Sequence, residues 1–108
     1  LTLFIDYNKQ QLDGTLDEVI KPFDLAGKFS AFGFDVETIK GDDIVAISEA
    51  VTPVRHAEQR PLVVILDSIK GQGVKYLEQL ANSHHLRLTP DVKLEIENAI
   101  AELEATHV

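Results

Sequence analysis

Polar residues that can bind a cation follow the first apolar segment of the chain, at Asp6-Tyr7-Asn8. Mg²⁺ takes oxygen ligands in an octahedral array and typically accepts one or two protein carboxylates together with phosphate oxygens. An asparagine side chain and a backbone carbonyl two residues later can complete such a set. The same residues also fit an ordinary polar turn, because Asp and Asn often hydrogen-bond their own backbone after a strand.

Two later segments also contain residue types found in ligand sites. Gly71 and Gly73 allow the backbone to turn tightly or to approach a ligand, although glycines after a strand more often mark a turn. His84 and His85 lie in a stretch without periodicity, which is consistent with a site loop. Adjacent histidines seldom chelate one metal together, and without a cysteine or a suitably spaced glutamate we do not expect a zinc site.

The apolar segments that must position these residues alternate between strand and helix patterns. Short apolar runs predict a buried strand at residues 1–5 and further strands at 34–39 and 62–66. The last run is aliphatic throughout, which is typical of a parallel sheet covered on both faces. We predict an α/β fold in one domain, residues 1–108, with a partial doubly wound, mostly parallel sheet of about three strands and helices packed on it.

Local signals predict where the helices begin and end. Thr15 and Glu18 have capping-box spacing, and Pro22 keeps the turn that follows them short. Longer helices are expected from Asp24 to Gly33, from Gly41-Asp42 to Pro53, and from Thr89-Pro90 onward, the last docking on the sheet. Their expected apolar faces comprise Leu25, Phe29 and Phe32; Ile44, Ile47 and Val51; and Val92, Ile96, Ala99, Ile100 and Leu103. His56 and His107 are interpreted as solvated helix residues.

Ligands of open α/β sheets bind beyond the carboxyl ends of the strands, which directs attention to residues 6–14, 40–43 and 68–73. The net charge of −8 makes a nucleic acid or an anionic membrane an unfavourable partner. No apolar run is long enough to cross a bilayer. The absence of cysteine fits a cytoplasmic protein. Because there is no methionine and the chain starts within an apolar run, we expect the protein to continue upstream of Leu1.

Four stretches follow one another in a recognisable order: LFIDYNKQQLDG at 3–14, FDLAGKFSAFGF at 23–34, IKGQGV at 69–74 and EQLANSH at 78–84. Together they resemble the N-terminal, cofactor-binding region of transketolase, in particular the N-terminal subunits of split transketolases. The resemblance implies an enzyme that transfers a two-carbon ketol unit between sugar phosphates with thiamine diphosphate and Mg²⁺.

The resemblance also assigns roles to particular residues. It implies that the Asn8 side chain and the Gln10 backbone carbonyl bind Mg²⁺, and that Asp6 and Leu12 lie near the thiazolium part of the cofactor. His84 matches a histidine near the cofactor diphosphate and the reacting sugar, and it is the acid–base group implied here.

Some of the family's pattern is absent from the chain. The thiamine-diphosphate motif opens with Gly-Asp-Gly, which this sequence lacks, and the pyrimidine-binding domain with its activating glutamate is also absent. We therefore expect the isolated chain to be inactive and the complete protein to need an N-terminal segment and a pyrimidine-binding domain or subunit, as a homo-oligomer. Three smaller departures lie away from the implied metal ligands. The family commonly has Trp at Phe34, His or Asn at Asp42, and Thr at Ser68.

Three other interpretations remain open at this stage. The E1 component of a 2-oxo acid dehydrogenase shares the metal motif but acts on 2-oxo acids. A phospho-acceptor signalling module would use Asp6, Ser68 and Lys70, but that fold needs five strands. A non-catalytic folded core that dimerises through its sheet edge is the third.

Overall fold

The computed structural model describes residues 1–52, 60–81 and 83–106, so the expectations for Pro53, His56 and His107 lie outside the described residues. The strands are β1 (Thr2–Tyr7), β2 (Gln10–Gln11), β3 (Gly14–Thr15), β4 (Asp35–Lys40) and β5 (Leu62–Asp67). The helices are α1 (Leu16–Val19), α2 (Leu25–Ala31), α3 (Ile44–Ala50), α4 (Lys75–Glu78) and α5 (Pro90–Thr106).

Strands β1, β5 and β4 form a parallel three-stranded sheet in that order. The central strand β5 is the most deeply buried element, and Val63 and Val64 have no exposed surface. Its aliphatic sequence is explained by this position, since both of its edges are paired and both of its faces are covered. The predicted α/β fold with a parallel sheet is confirmed.

Strand β1 lies at an edge of this sheet and is more exposed than its apolar sequence predicts. Leu1 is 89% exposed and Phe4 is 48% exposed. The prediction of a buried first strand is therefore wrong in this structure. The physical reason is the position of β1 in the sheet. Only one edge of β1 is paired, with β5, and the helices α2 and α3 pack against β4 at the opposite edge of the sheet.

The helix ends follow their predicted capping signals. Thr15 and Glu18 form the capping box at the start of α1, where the Thr15 hydroxyl donates to the Glu18 carboxylate at 2.7 Å. That bond, followed by one from the Thr15 backbone N–H, lowers the pKa of Glu18 below its ordinary value. Asp24 caps α2 by accepting from the Gly27 N–H at 2.8 Å, and Gly33 beyond its end has a φ of +88°.

Three predicted helix faces are placed differently in the structure. At the end of α2, Phe32 is 82% exposed, so that face is wrong at its last residue. In α3 the buried residue is Ala50, whereas Ile44 is 78% exposed and Val51 is 39% exposed, so the predicted face is wrong at both ends. Helix α5 packs against α4 and does not dock on the sheet as its apolar stripe predicted. Ile100 remains 50% exposed as a result. Because the segment that forms the short helix α4 has no clear period, the surface on which α5 rests could not be predicted.

The molecule is flat, with extents of 53 × 40 × 16 Å and a radius of gyration of 17.2 Å. A compact domain of about 100 residues has a radius of gyration of about 13 Å. The buried apolar residues of the described ranges are Ala50, Leu62, Val63, Val64 and Ile65, so the core is small and centred on β5. No described helix is long and apolar enough to cross a membrane.

Candidate functional site

The carboxyl ends of the three parallel strands lie level at one edge of the sheet. Tyr7 of β1 and Lys40 of β4 both pair with Asp67, the last residue of β5. The backbone contacts continue past the strands, because the Ser68 N–H donates to the Tyr7 carbonyl at 3.3 Å and the Gly41 N–H donates to the Asp67 carbonyl at 2.9 Å. The loops that follow the strands therefore begin side by side, as the rule for open α/β sheets predicts.

Gly41 permits the loops after β4 and β5 to come this close. A Cβ atom at Gly41 would lie 2.7 Å from the Ser68 Cβ and 3.2 Å from the Ser68 Cα. Both distances are shorter than normal carbon–carbon contacts of about 3.5–4.0 Å, and one of them involves backbone that cannot simply rotate away. Because Gly41 has no side chain, the loop after β4 can lie this close to the loop after β5.

Asp6 is the centre of a polar cluster that two adjacent strands create. The Ser68 hydroxyl donates to one oxygen of the Asp6 carboxylate. The Asn8 side-chain amide donates to the other oxygen at 3.3 Å. The Asn8 side-chain oxygen in turn accepts from the Gln10 N–H at 3.0 Å, so Asp6, Asn8 and Gln10 form one connected unit. Three of the five predicted site residues are therefore brought together.

Lys9 and Asp67 form a second link between the same two loops. The Lys9 ammonium pairs with the Asp67 carboxylate and donates to the Ser68 carbonyl at 2.9 Å. It also lies 5.7 Å from the centre of the Tyr7 ring. The sequence interpretation missed both residues of this ion pair. The sequence shows a basic residue, Lys9, in the turn after β1 and an acidic residue, Asp67, at the end of β5. This ion pair can be recognised only when β1 and β5 are known to be neighbouring strands.

Beyond Lys9 the loop forms a small hairpin that was not predicted. Gln10 pairs with Thr15 and Gln11 with Gly14, and the Lys9 carbonyl accepts from the Leu16 N–H at 2.9 Å. Leu12 and Asp13 form the two-residue turn and Gly14 begins β3, so the turn-prone residues Asp13 and Gly14 were the sequence signal for it. Leu12 lies in the hairpin turn, where it is 47% exposed.

Two cavities adjoin the polar cluster, and Asn8 lines both of them. One, of about 320 Å³, lies between the loop after β1 and the start of α1. The other, of about 430 Å³, extends across the ends of β1, β4 and β5. The first is lined by Tyr7, Asn8, Lys9, Gln10, Thr15, Leu16, Asp17 and Ile69; the second is lined by Asp6, Asn8, Gly41, Asp42, Leu66, Ser68, Ile69, Lys70, Gly71 and Gln72.

The remaining two predicted site residues lie outside these linings. His84 is exposed in the segment between α4 and α5, where its ring stacks edge to face on His85 with centroids 4.8 Å apart. Leu12 is likewise absent from the residues that line either cavity. The structure therefore does not place His84 or Leu12 at either cavity, and the roles of all five predicted residues stay predictions.

The Asn8 side-chain amide and the Gln10 backbone carbonyl offer two oxygen ligands of the kind that Mg²⁺ takes. Within residues 1–52, 60–81 and 83–106 no group of three or more His, Cys, Asp or Glu side chains could hold a metal ion. Asp6 already accepts hydrogen bonds from Ser68 and Asn8. The residues present therefore fit part of a Mg²⁺ site, which needs further oxygen ligands.

Comparison with known proteins assigns the chain to a family. The sequence model of the family described as transketolase, thiamine diphosphate binding domain, matches residues 1–100. The chain belongs to the transketolase family.

Individual relatives agree with that assignment. The chain is 36% identical over 104 residues to the 6-deoxy-6-sulfo-D-fructose transketolase subunit SqwG of Clostridium sp. (strain MSTE9), covering 96% of this chain and 37% of the relative. It is 33% identical over 85 residues to an apulose-4-phosphate transketolase subunit of Phocaeicola vulgatus, covering 79% and 30% respectively. A transketolase of Mycobacterium leprae is 27% identical over 92 residues, covering 84% of this chain and 13% of that protein. The chain thus spans about a third of the length of the first two relatives.

Proposed function

We propose that the complete protein containing this chain transfers a two-carbon ketol unit between sugar phosphates, using thiamine diphosphate and Mg²⁺. The observation that carries the proposal is the cluster of Asp6, Asn8 and Ser68 where the strands end, beside two cavities, in a chain of the transketolase family. When bound, thiamine diphosphate supplies the electron sink that ketol transfer requires.

The metal-binding role falls to Asn8 and to the Gln10 backbone carbonyl. The Asn8 side-chain oxygen accepts from the Gln10 N–H, but a carbonyl oxygen has two lone pairs and can keep this bond while it ligates a cation. The same bond holds the backbone N–H of Gln10, and so the residue that carries the proposed carbonyl ligand, beside the Asn8 side chain. Both proposed ligands are thereby held in one short loop.

The other site residues have supporting roles in the proposal. Asp6 and Leu12 lie near the thiazolium part of the cofactor, and Ser68 keeps the Asp6 carboxylate in place. His84, which is exposed in this structure, acts on the diphosphate side of the cofactor and near the reacting sugar once the rest of the protein surrounds it. It is the general acid–base residue that this chain contributes.

Additional protein is part of the proposal. An N-terminal segment supplies the carboxylate of the Gly-Asp-Gly motif, and a pyrimidine-binding domain or subunit supplies the activating glutamate. The exposed apolar residues of β1 and the small core support this, because a larger assembly would bury those apolar surfaces. Two of the relatives are named as transketolase subunits. We further propose that the assembly is a homo-oligomer.

The substrates are proposed to be sugars that carry an anionic group. One relative is named for 6-deoxy-6-sulfo-D-fructose and another for apulose-4-phosphate. Assays of the complete protein with pentose phosphates and with pyruvate distinguish ketol transfer from the 2-oxo acid chemistry of an E1 component. Turnover of pyruvate without turnover of any sugar phosphate would overturn the proposal.

Calorimetric titration with thiamine diphosphate and Mg²⁺ tests the cofactor site directly. We expect very weak binding to the isolated 108 residues, since the metal lacks its protein carboxylate, and restored binding in the complete protein. Asn8→Ala should then remove binding, whereas Asn98→Ala on the remote helix α5 should not. Micromolar affinity of the isolated chain, or unchanged affinity of Asn8→Ala in the complete protein, would contradict these roles.

A further inference from the structure

Lys9 stands between the two residues proposed to bind the metal, and its backbone has an unusual conformation. Its φ is +62°, in the left-handed region that residues other than glycine adopt infrequently. This reversal allows the Asn8 side-chain oxygen to accept from the Gln10 N–H while the Lys9 carbonyl accepts from the Leu16 N–H. The conformation of Lys9 therefore decides which way the neighbouring peptides face.

The side chain of Lys9 anchors that conformation to the sheet. It spans from the loop after β1 to the end of β5, where it pairs with the Asp67 carboxylate and donates to the Ser68 carbonyl at 2.9 Å. Ser68 is the residue whose hydroxyl bonds Asp6. Lys9 is thus connected at its backbone to Asn8 and at its ammonium group to the other side of the same cluster.

We propose that Lys9 is a positioning residue, which through Asp67 and the Ser68 carbonyl holds the loop so that the Asn8 side chain and the Gln10 carbonyl face a common cation. This inference rests on the proposed function and adds to it a residue that acts through its contacts with Asp67 and Ser68. The ion pair is about half exposed, with side-chain exposures of 45% for Lys9 and 49% for Asp67. Exposed pairs have modest effects, so changes of about two- to fivefold are expected.

Amide hydrogen exchange in the 108-residue chain measures the loop without any cofactor. In Lys9→Met the amides of Gln10 and Leu16 should exchange about two- to fivefold faster, because the bonds that protect them open more often. Lys9→Arg keeps the charge and should restore slow exchange. Lys93→Met is the matched control, since Lys93 forms an ion pair with Glu97 on the remote helix α5. The amides of Val63 and Val64 report whether the sheet itself is intact.

Mg²⁺ titration of the complete protein at fixed thiamine diphosphate measures the consequence. The Mg²⁺ concentration for half-saturation should rise by about two- to fivefold in Lys9→Met and in Asp67→Asn, with the turnover number at saturating Mg²⁺ unchanged. Lys9→Arg should bind as the unmodified protein does. If Lys9→Met also speeds amide exchange in the central strand β5, Asp67→Asn tests the same ion pair through its other residue.

The two measurements separate the possible failures. Unchanged exchange at Gln10 and Leu16 in both Lys9→Met and Asp67→Asn overturns the positioning role. Faster exchange with unchanged Mg²⁺ half-saturation also overturns it, because the loop would then be held for another purpose. If the unmodified complete protein does not bind thiamine diphosphate with Mg²⁺ at all, the proposed function fails, and the exchange comparison still decides whether Lys9 holds this loop.

Discussion

The Ser68 hydroxyl donates a hydrogen bond to the Asp6 carboxylate, and this contact joins the loop after β5 to the end of β1. The two residues are 62 positions apart in the chain. They meet because β1 and β5 are parallel neighbours in register, with Asp6 opposite Leu66. Asp6 and Ser68 line the same cavity, and the contribution of their contact to stability can be measured.

Ser68→Ala should lower the free energy of unfolding by about 0.5–1.5 kcal/mol, the usual net value of a hydrogen bond. The loss stays small because Asp6 is exposed and water can replace the hydroxyl. Urea unfolding of both proteins measures it, with Ser48→Ala on the exposed side of α3 as the control. A stability loss no larger than that of the control would show that the Ser68–Asp6 contact contributes nothing.

Gly41→Ala should destabilise the protein by about 1–3 kcal/mol, because the added methyl group would overlap Ser68. Gly33→Ala is a useful contrast, since Gly33 has a φ of +88° but nothing within 4 Å of an added Cβ. It should cost about 1–2 kcal/mol through backbone strain alone. NMR shifts of Asp6 and Ser68 should change in Gly41→Ala and remain constant in Gly33→Ala; identical spectra would refute the steric argument.

Val64→Ala should lower the free energy of unfolding by about 1.5–3 kcal/mol, since it removes buried methyl groups from the central strand and leaves a cavity. Val64 has no exposed surface, whereas Val45 on α3 is 69% exposed. Val45→Ala should therefore alter stability by no more than about 0.5 kcal/mol. Thermal or urea unfolding measures the stability of the two variants. Equal stability of Val64→Ala and Val45→Ala would contradict a core centred on β5.

The Glu18 carboxyl should titrate below its ordinary value of 4.5, because the Thr15 hydroxyl and then the Thr15 N–H donate to its charged form and lower its pKa. The stabilisation by this capping box is therefore complete above pH 4.5 and is lost as the pH falls through the lower pKa of the folded protein. Side-chain NMR titration gives the pKa directly. Thr15→Val should move the pKa back toward 4.5, and a value at or above 4.5 in the unmodified protein would contradict the assignment.

Several local features could be predicted from the sequence because they depend on neighbouring residues. The capping residues Thr15 and Thr89 act where the sequence predicts, since a cap needs only the next three residues. The continuous aliphatic run of β5 likewise predicts its central place, because only a strand covered on both faces tolerates it. The position of Asn8 after a strand was recognised by the same local reasoning.

Other features required the packing of distant segments. The apolar residues of β1 predict burial, but exposure depends on which strands and helices lie alongside, and β1 is an edge strand here. The stripe of α5 predicts an apolar contact without specifying its partner, which is α4 and not the sheet. A periodic pattern fixes which face of an element is apolar, and the rest of the fold decides what that face meets.

The sequence by itself therefore determined the family, the α/β character of the chain and the presence of an Asp and an Asn where the first strand ends. Only the tertiary structure decided that Ser68 bonds Asp6 and that Asp67 pairs with Lys9. The reason is the strand order: β5 inserts between β1 and β4, so residues some 60 positions apart become neighbours. Nothing in the local pattern of either loop encodes that order.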